Sequence, residues 1–110
     1  MNIKNIEERL DFIEFRQQLL FYNSPSNRLF FQFEITRKQN GKIMELMDKC
    51  RDMIQQGKDV TSSNFEMRME EICPQLKRNY HFSEHITQAF HEEGRWREVF
   101  EKLYGHKAKS

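Results

Sequence analysis

The side chains of this 110-residue chain best suited to chemistry are its four histidines and two cysteines. His81 and His85 stand four apart with Glu84 between them, and His91 follows downstream. Imidazoles at i and i+4 on one helix face are a metal-binding arrangement. Ser83, however, reads as the N-cap of the next helix, which places His81 outside it and separates the pair. No HExxH motif or cysteine pair completes a ligand set, so capping or surface roles are expected and no metal. His91-Glu92-Glu93 and Glu70-Glu71 bring acids and a potential base close in sequence. Neighbouring residues on a helix point in different directions, and acid-base work needs such groups desolvated and convergent, so a solvated face is expected. There is no glycine-rich phosphate loop, no serine or cysteine nucleophile motif and no EF-hand ladder. The chain is therefore expected to carry no catalytic residue and no cofactor, and to be no enzyme. Cys50 and Cys73 fit no zinc or redox spacing and read as buried thiols.

Charge excludes further classes. Eighteen Lys and Arg stand against seventeen Asp and Glu, a formal charge of +1 spread along the whole chain, so neither nucleic acid nor an anionic membrane is an expected partner. Trp96 between Arg95 and Arg97 is spaced with Val99, Phe100 and Leu103 as a core anchor rather than a stacking residue. No apolar run approaches the roughly 18 residues of a membrane span, and the first residues lack the pattern of an export signal, so a cytoplasmic protein is expected. The basic end, residues 106–110, reads as a disordered tail on a single domain of residues 1–105.

The elements that position these residues all read at the period of a helix. A first helix spans about residues 3–22. Ser24 and Pro25 then supply an N-cap and a first-turn proline for a short second helix carrying Leu29, Phe30, Phe31, Phe33 and Ile35. Thr36 with Gln39 is a capping box opening a third helix, which carries Ile43, Leu46, Met47, Cys50, Met53 and Ile54 and stops at Gly57. A second capping box, Ser63 with Glu66, opens a fourth helix along Phe65, Met69, Ile72 and Leu76, with Met67 off that stripe as a candidate contact residue. Pro74 should end or kink it near Cys73. A fifth helix from Ser83 and a sixth carrying Trp96 to Leu103 end at Gly94 and Gly105, or fuse through Gly94. The fold class expected is all-α: five or six short-to-medium helices in a bundle, intertwined in a homo-oligomer.

That last expectation rests on the first helix, which is apolar on two sides. Ile3, Ile6, Leu10, Ile13, Gln17 and Leu20 follow a 3-4 heptad spacing and share one face. Phe12, Phe15, Leu19 and Tyr22 gather on the opposite face, with Glu7, Arg9, Asp11, Glu14 and Arg16 on the polar flanks. A chain this short has few helices to cover both faces, and an uncovered one would leave several large side chains in water. The interface residues expected are Ile3, Ile6, Leu10, Phe12, Ile13, Phe15, Leu19 and Leu20. They imply a dimer or trimer that acts as a regulator or adaptor on a further protein; the alternatives are a small-ligand-binding protein or enzyme with a site between helices, and a nucleic-acid-associated regulator.

The order of these signals resembles the YhaI-like family, small helical proteins of Bacillus-type bacteria known mainly as a fold. The resemblance lies in Ile6-Glu7-Glu8-Arg9-Leu10-Asp11-Phe12-Ile13, in the segment from Phe30 to Thr36, in Ile43 to Met53, and in the run from Thr87 to Phe100. It spans roughly residues 5 to 104 and implies an all-α chain that forms an intertwined homo-oligomer. It carries no site residues. Pro74 and the short, basic Ser24 to Arg28 turn depart from its pattern.

Overall fold

The computed structural model of the chain describes residues 3–79 and 81–108, except for the side chains of residues 3, 4 and 106–108. It is all helical: α1 (Ile3–Phe21), α2 (Pro25–Gln32), α3 (Arg37–Gln55), α4 (Ser62–Ile72), a single 3-10 turn (Pro74–Leu76), α5 (Phe82–Glu92) and α6 (Arg97–Ala108). No strand occurs among the described residues.

Local chemistry sets most of these boundaries. Ser24 Oγ accepts from the Asn27 amide at 3.2 Å, and Pro25 follows at the first helical position. At α3 the capping box is complete: the Gln39 amide donates to Thr36 Oγ1 and the Thr36 amide to Gln39 Oε1, both at 3.1 Å. Three helices end in the same double-bonded reversal, in which the residue past the cap takes a left-handed backbone and two amides turn back onto the last carbonyls. Gly57 and Gly94 supply the positive φ for α3 and α5, at 75° and 76°. At the end of α2 a glutamate does so, Glu34 at φ 56°, with the Ile35 amide donating to the Phe30 carbonyl at 3.0 Å.

Four expected boundaries are corrected. The cap of α4 is Thr61, whose Oγ1 accepts from the Asn64 amide at 3.2 Å, so Ser63 lies inside the helix. Helix α5 begins at Phe82 with His81 as its cap, and Ser83 is buried in its first turn. There the Ser83 carbonyl accepts from Thr87 Oγ1 at 2.8 Å, a bond within the helix. Helices α5 and α6 do not fuse, because Gly94 and Trp96 both have positive φ and reverse the chain between them. Finally, α6 runs past Gly105 to Ala108. The expected tail otherwise falls on side chains and residues outside those described. Pro74 acts as its chemistry predicts: α4 stops at Ile72 and the proline starts the 3-10 turn.

One core joins α1 to α6, with Phe15 and Leu19 as the buried part of α1 in it. Phe30, Ile43, Met47, Phe65, Met69, Ile86, Phe90, Val99, Leu103 and Tyr104 are almost wholly buried in it, and Phe90 stacks edge-on with Trp96 at 4.9 Å between ring centres. Helix α5 packs on α2, α4 and α6, whereas α1 packs on α2 and α3. The polar groups within are satisfied. No buried side-chain nitrogen or oxygen among the described residues lacks a hydrogen-bond partner.

Candidate interaction surface

Helix α1 meets the body of the protein with one face only. Phe15 and Leu19 are 6% and 4% exposed, and Phe12 is half-buried beside them. Arg16 fastens the contact to α2, donating to the Phe31 carbonyl at 3.0 Å with its guanidinium 3.8 Å above the Phe31 ring. Arg37 fastens it to α3 through Asp11 and Gln18, both at 3.1 Å. Those anchors all lie at or beyond residue 11. Residues 5 to 10 are exposed on every side.

The opposite face is open along its length. Ile6 is 40% exposed, Leu10 56%, Ile13 52% and Leu20 57%, and Gln17 is exposed among them. Of the eight residues expected at an interface, Phe15 and Leu19 are corrected: the chain's own α2 and α3 side buries them, so no partner can reach them. Phe12 is half-occupied in the same way. Ile6, Leu10, Ile13 and Leu20 form the open stripe, and the side chain of Ile3 lies outside the described residues. Two aromatics extend it. Phe21 and Tyr22 are 80% and 67% exposed, their rings edge-on at 4.9 Å. Tyr22 is expected on the face of Phe12, Phe15 and Leu19, but α1 ends at Phe21 and the turn leaves Tyr22 exposed beside Phe21. Phe21 could have been found from its position directly after Leu20 on the stripe.

A second concavity lies between α3 and α4, a groove of about 710 Å³ floored by Leu46, Cys50, Met53, Val60, Phe65 and Met67. Met67 is 58% exposed there, off the Phe65 stripe as its spacing predicts. The rim alternates in sign, with Lys42, Lys49 and Arg68 against Glu45, Asp59 and Glu71. Burial pushes the Cys50 thiol up in spite of the nearby Lys49 ammonium. In the core, burial pushes the Cys73 thiol up to about 11. Both remain protonated near neutrality and are poor nucleophiles there. Tyr104 is raised by burial first and then by the Glu66 carboxylate, to which its hydroxyl donates at 3.1 Å.

The residues first considered for chemistry are dispersed. His81 and His85 do share a face, contrary to expectation, because the helix starts a residue before Ser83; their rings stack with centres 6.1 Å apart, both exposed. Among the described residues no group of three His, Cys, Asp or Glu side chains is placed to hold a metal ion. His91 meets Glu101 at 3.2 Å. Glu93, expected on a solvated face, instead accepts from the Ser26 amide at 2.7 Å and from Ser26 Oγ at 3.0 Å, where its carboxylate also complements the positive end of α2. Trp96 packs against the core, and its Nε1 donates to Asp48 at 2.9 Å. No helix among the described residues is long and apolar enough to cross a membrane. The chain matches no family model, no curated protein and no solved structure.

Proposed function

We propose that this chain is a cytoplasmic interaction protein that self-associates through the outer face of α1, as a dimer or trimer, and acts by docking on a further protein as a regulator or adaptor. The observation that carries this reading is the first half of α1. Residues 5 to 10 are all exposed, yet Ile6 and Leu10 among them continue an apolar stripe. A helix of two free turns is marginal in water, so it gains its stability from a surface packed against it. Fully burying a Leu or Ile contributes roughly 1.5–3 kcal/mol, and four such side chains stand open here against a net stability of about 5–15 kcal/mol for a typical domain. Association is the cheaper way to cover them. The resemblance to the YhaI-like family carries the same expectation.

Light scattering over a wide dilution series tests this. The chain is expected to run at two or three times 13.5 kDa at micromolar concentration. Leu10→Asp combined with Ile13→Asp is expected to shift it to a single-chain mass, with loss of helix content confined to the first turns of α1. A folded wild-type monomer throughout the series would overturn the reading.

A second reading rests on the α3–α4 groove, whose apolar floor and charged rim suit a small amphipathic ligand. A thermal-shift screen separates the two, since a ligand seated there raises the melting temperature of the Leu10→Asp, Ile13→Asp variant as much as that of the wild type.

A further inference from the structure

The flanks of the open stripe on α1 are sorted by charge, and the sorting selects one orientation for a second copy. Ile6 and Ile13 with Leu10 and Gln17 occupy the d and a positions of a heptad. In that register Arg9 and Arg16 take the g positions on one flank, and Glu7 and Glu14 the e positions on the other. Arg16 is committed to Phe31. Arg9, Glu7 and Glu14 are exposed, and among the described residues none of them has an ion pair within the chain.

We propose that α1 pairs with α1 of a second copy in parallel and in register, with Arg9 of each chain against Glu14 of the partner subunit. This inference rests on the self-association reading above. In a parallel seam each g position meets an e position one heptad on, so basic flank meets acidic flank on both sides. The same holds whether two or three helices share the seam. An antiparallel seam pairs g with g and e with e, setting Arg9 against Arg16 of the partner subunit and Glu7 against Glu14 of the partner subunit. Every register of that arrangement places like charges together. Gln17 points the same way: in parallel register it faces Gln17 of the partner subunit, where two amides can bond each other. The antiparallel register that brings Leu10 opposite Ile13 of the partner subunit leaves Gln17 against Ile6 of the partner subunit and unpaired. Parallel helices do align their dipoles unfavourably, but that term is confined to the end turns and is screened by salt. The Arg9–Glu14 pairs lie in the middle of the helix, away from those end turns.

The test is charge reversal read by sedimentation equilibrium at low ionic strength, on the full chain, with helix content checked for each variant. Arg9→Glu and Glu14→Arg should each weaken self-association about fivefold or more, by turning two attractive pairs into repulsive ones. Both changes in one chain, or an equimolar mixture of the two single variants, should restore it. These differences should shrink in high salt. Oxidised Gln17→Cys should cross-link chain to chain, since position 17 then faces itself. If the wild type associates but each single reversal tightens or leaves it unchanged, the parallel arrangement is overturned while self-association stands. If the wild type does not associate, both fall.

Discussion

Helices α1 and α5 use the same kind of material, large apolar residues at helical spacing, and the fold treats them oppositely. In α5, Phe82, Ile86, Ala89 and Phe90 are all buried, because α2, α4 and α6 enclose the helix. In α1, Phe15 and Leu19 are buried while Ile6, Leu10, Ile13 and Leu20 are open, because its main packing is on α2 and α3 and lies along one face. An apolar stripe therefore says that a surface needs covering. Whether the cover lies in the same chain depends on how many neighbours the topology brings.

The largest expected effect breaks the enclosed side of this comparison. Phe90 is 0% exposed and touches the rings of Phe30 and Trp96. Phe90→Ala should cost about 3–5 kcal/mol in urea unfolding, equally at all protein concentrations. Ile13→Ala should stay within about 0.5 kcal/mol in dilute solution, as an exposed position does, and lose stability only where the wild type is associated. A dilute-solution cost for Ile13→Ala as large as that of Phe90→Ala would mean that the outer face of α1 is covered within the chain.

Next in size is the polar clamp that holds α2 to the end of α5. Glu93→Ala strands the Ser26 amide and leaves the Ser26 hydroxyl only its 3.4 Å contact with Ser24 Oγ. Leaving buried donors unsatisfied costs about 1–3 kcal/mol, and that loss should be visible in the same unfolding assay. Glu93→Gln keeps an acceptor and should lose less. Equal losses for the two would locate the effect in the charge rather than in the hydrogen bonds.

The helices and their stops were readable from the chain because they are local. Thr36 with Gln39, Pro25 after Ser24, and the glycines at 57 and 94 act within one turn of themselves. Where two residues could cap, sequence alone chose wrongly: Ser63 over Thr61, and Ser83 over His81. The choice there depends on which start lets the following side chains reach the core, and Phe82 and Ser83 are both buried. The same holds for the candidate site. Two apolar faces on α1 follow from spacing, but which of them the chain itself covers is a matter of packing, and it went to Phe15 and Leu19. Glu93 was unreadable for another reason: its partner Ser26 lies 67 residues away. The α3–α4 groove likewise exists only once two helices are set side by side.

Thr36→Ala is the next smaller test. It removes the acceptor of the Gln39 amide and, with it, one half of the capping box. The expected cost is about 1 kcal/mol, read as a lower urea midpoint with an unchanged slope. Helix α3 supports both regions, packing on α1 and on α6. A loss confined to the associated state would therefore tie its start to α1 alone, and an equal loss at all concentrations would tie it to the common core.

The smallest expected effect is a gain, and it sits at the joint between the two regions. Helix α2 carries Phe31 beneath Arg16 of α1 and Phe30 against Phe90 of α5, and its last turn closes through Glu34 in the left-handed region at φ 56°. That backbone crowds the Cβ of any L-residue by about 1–2 kcal/mol, whereas glycine adopts it freely. Glycine also loses more chain entropy on folding, which offsets part of the relief. The side chain of Glu34 is exposed, and the contact it makes to Gln75 is through its backbone carbonyl at 3.4 Å, which the substitution keeps. Glu34→Gly should therefore stabilise the chain by about 0.5 kcal/mol, while Glu34→Ala should change it little, because alanine keeps the Cβ. The gain should be the same in dilute and concentrated samples, since the turn closes within α2 whatever covers α1. A stabilisation by alanine equal to that by glycine would trace the effect to removal of the charge and not to the strained turn.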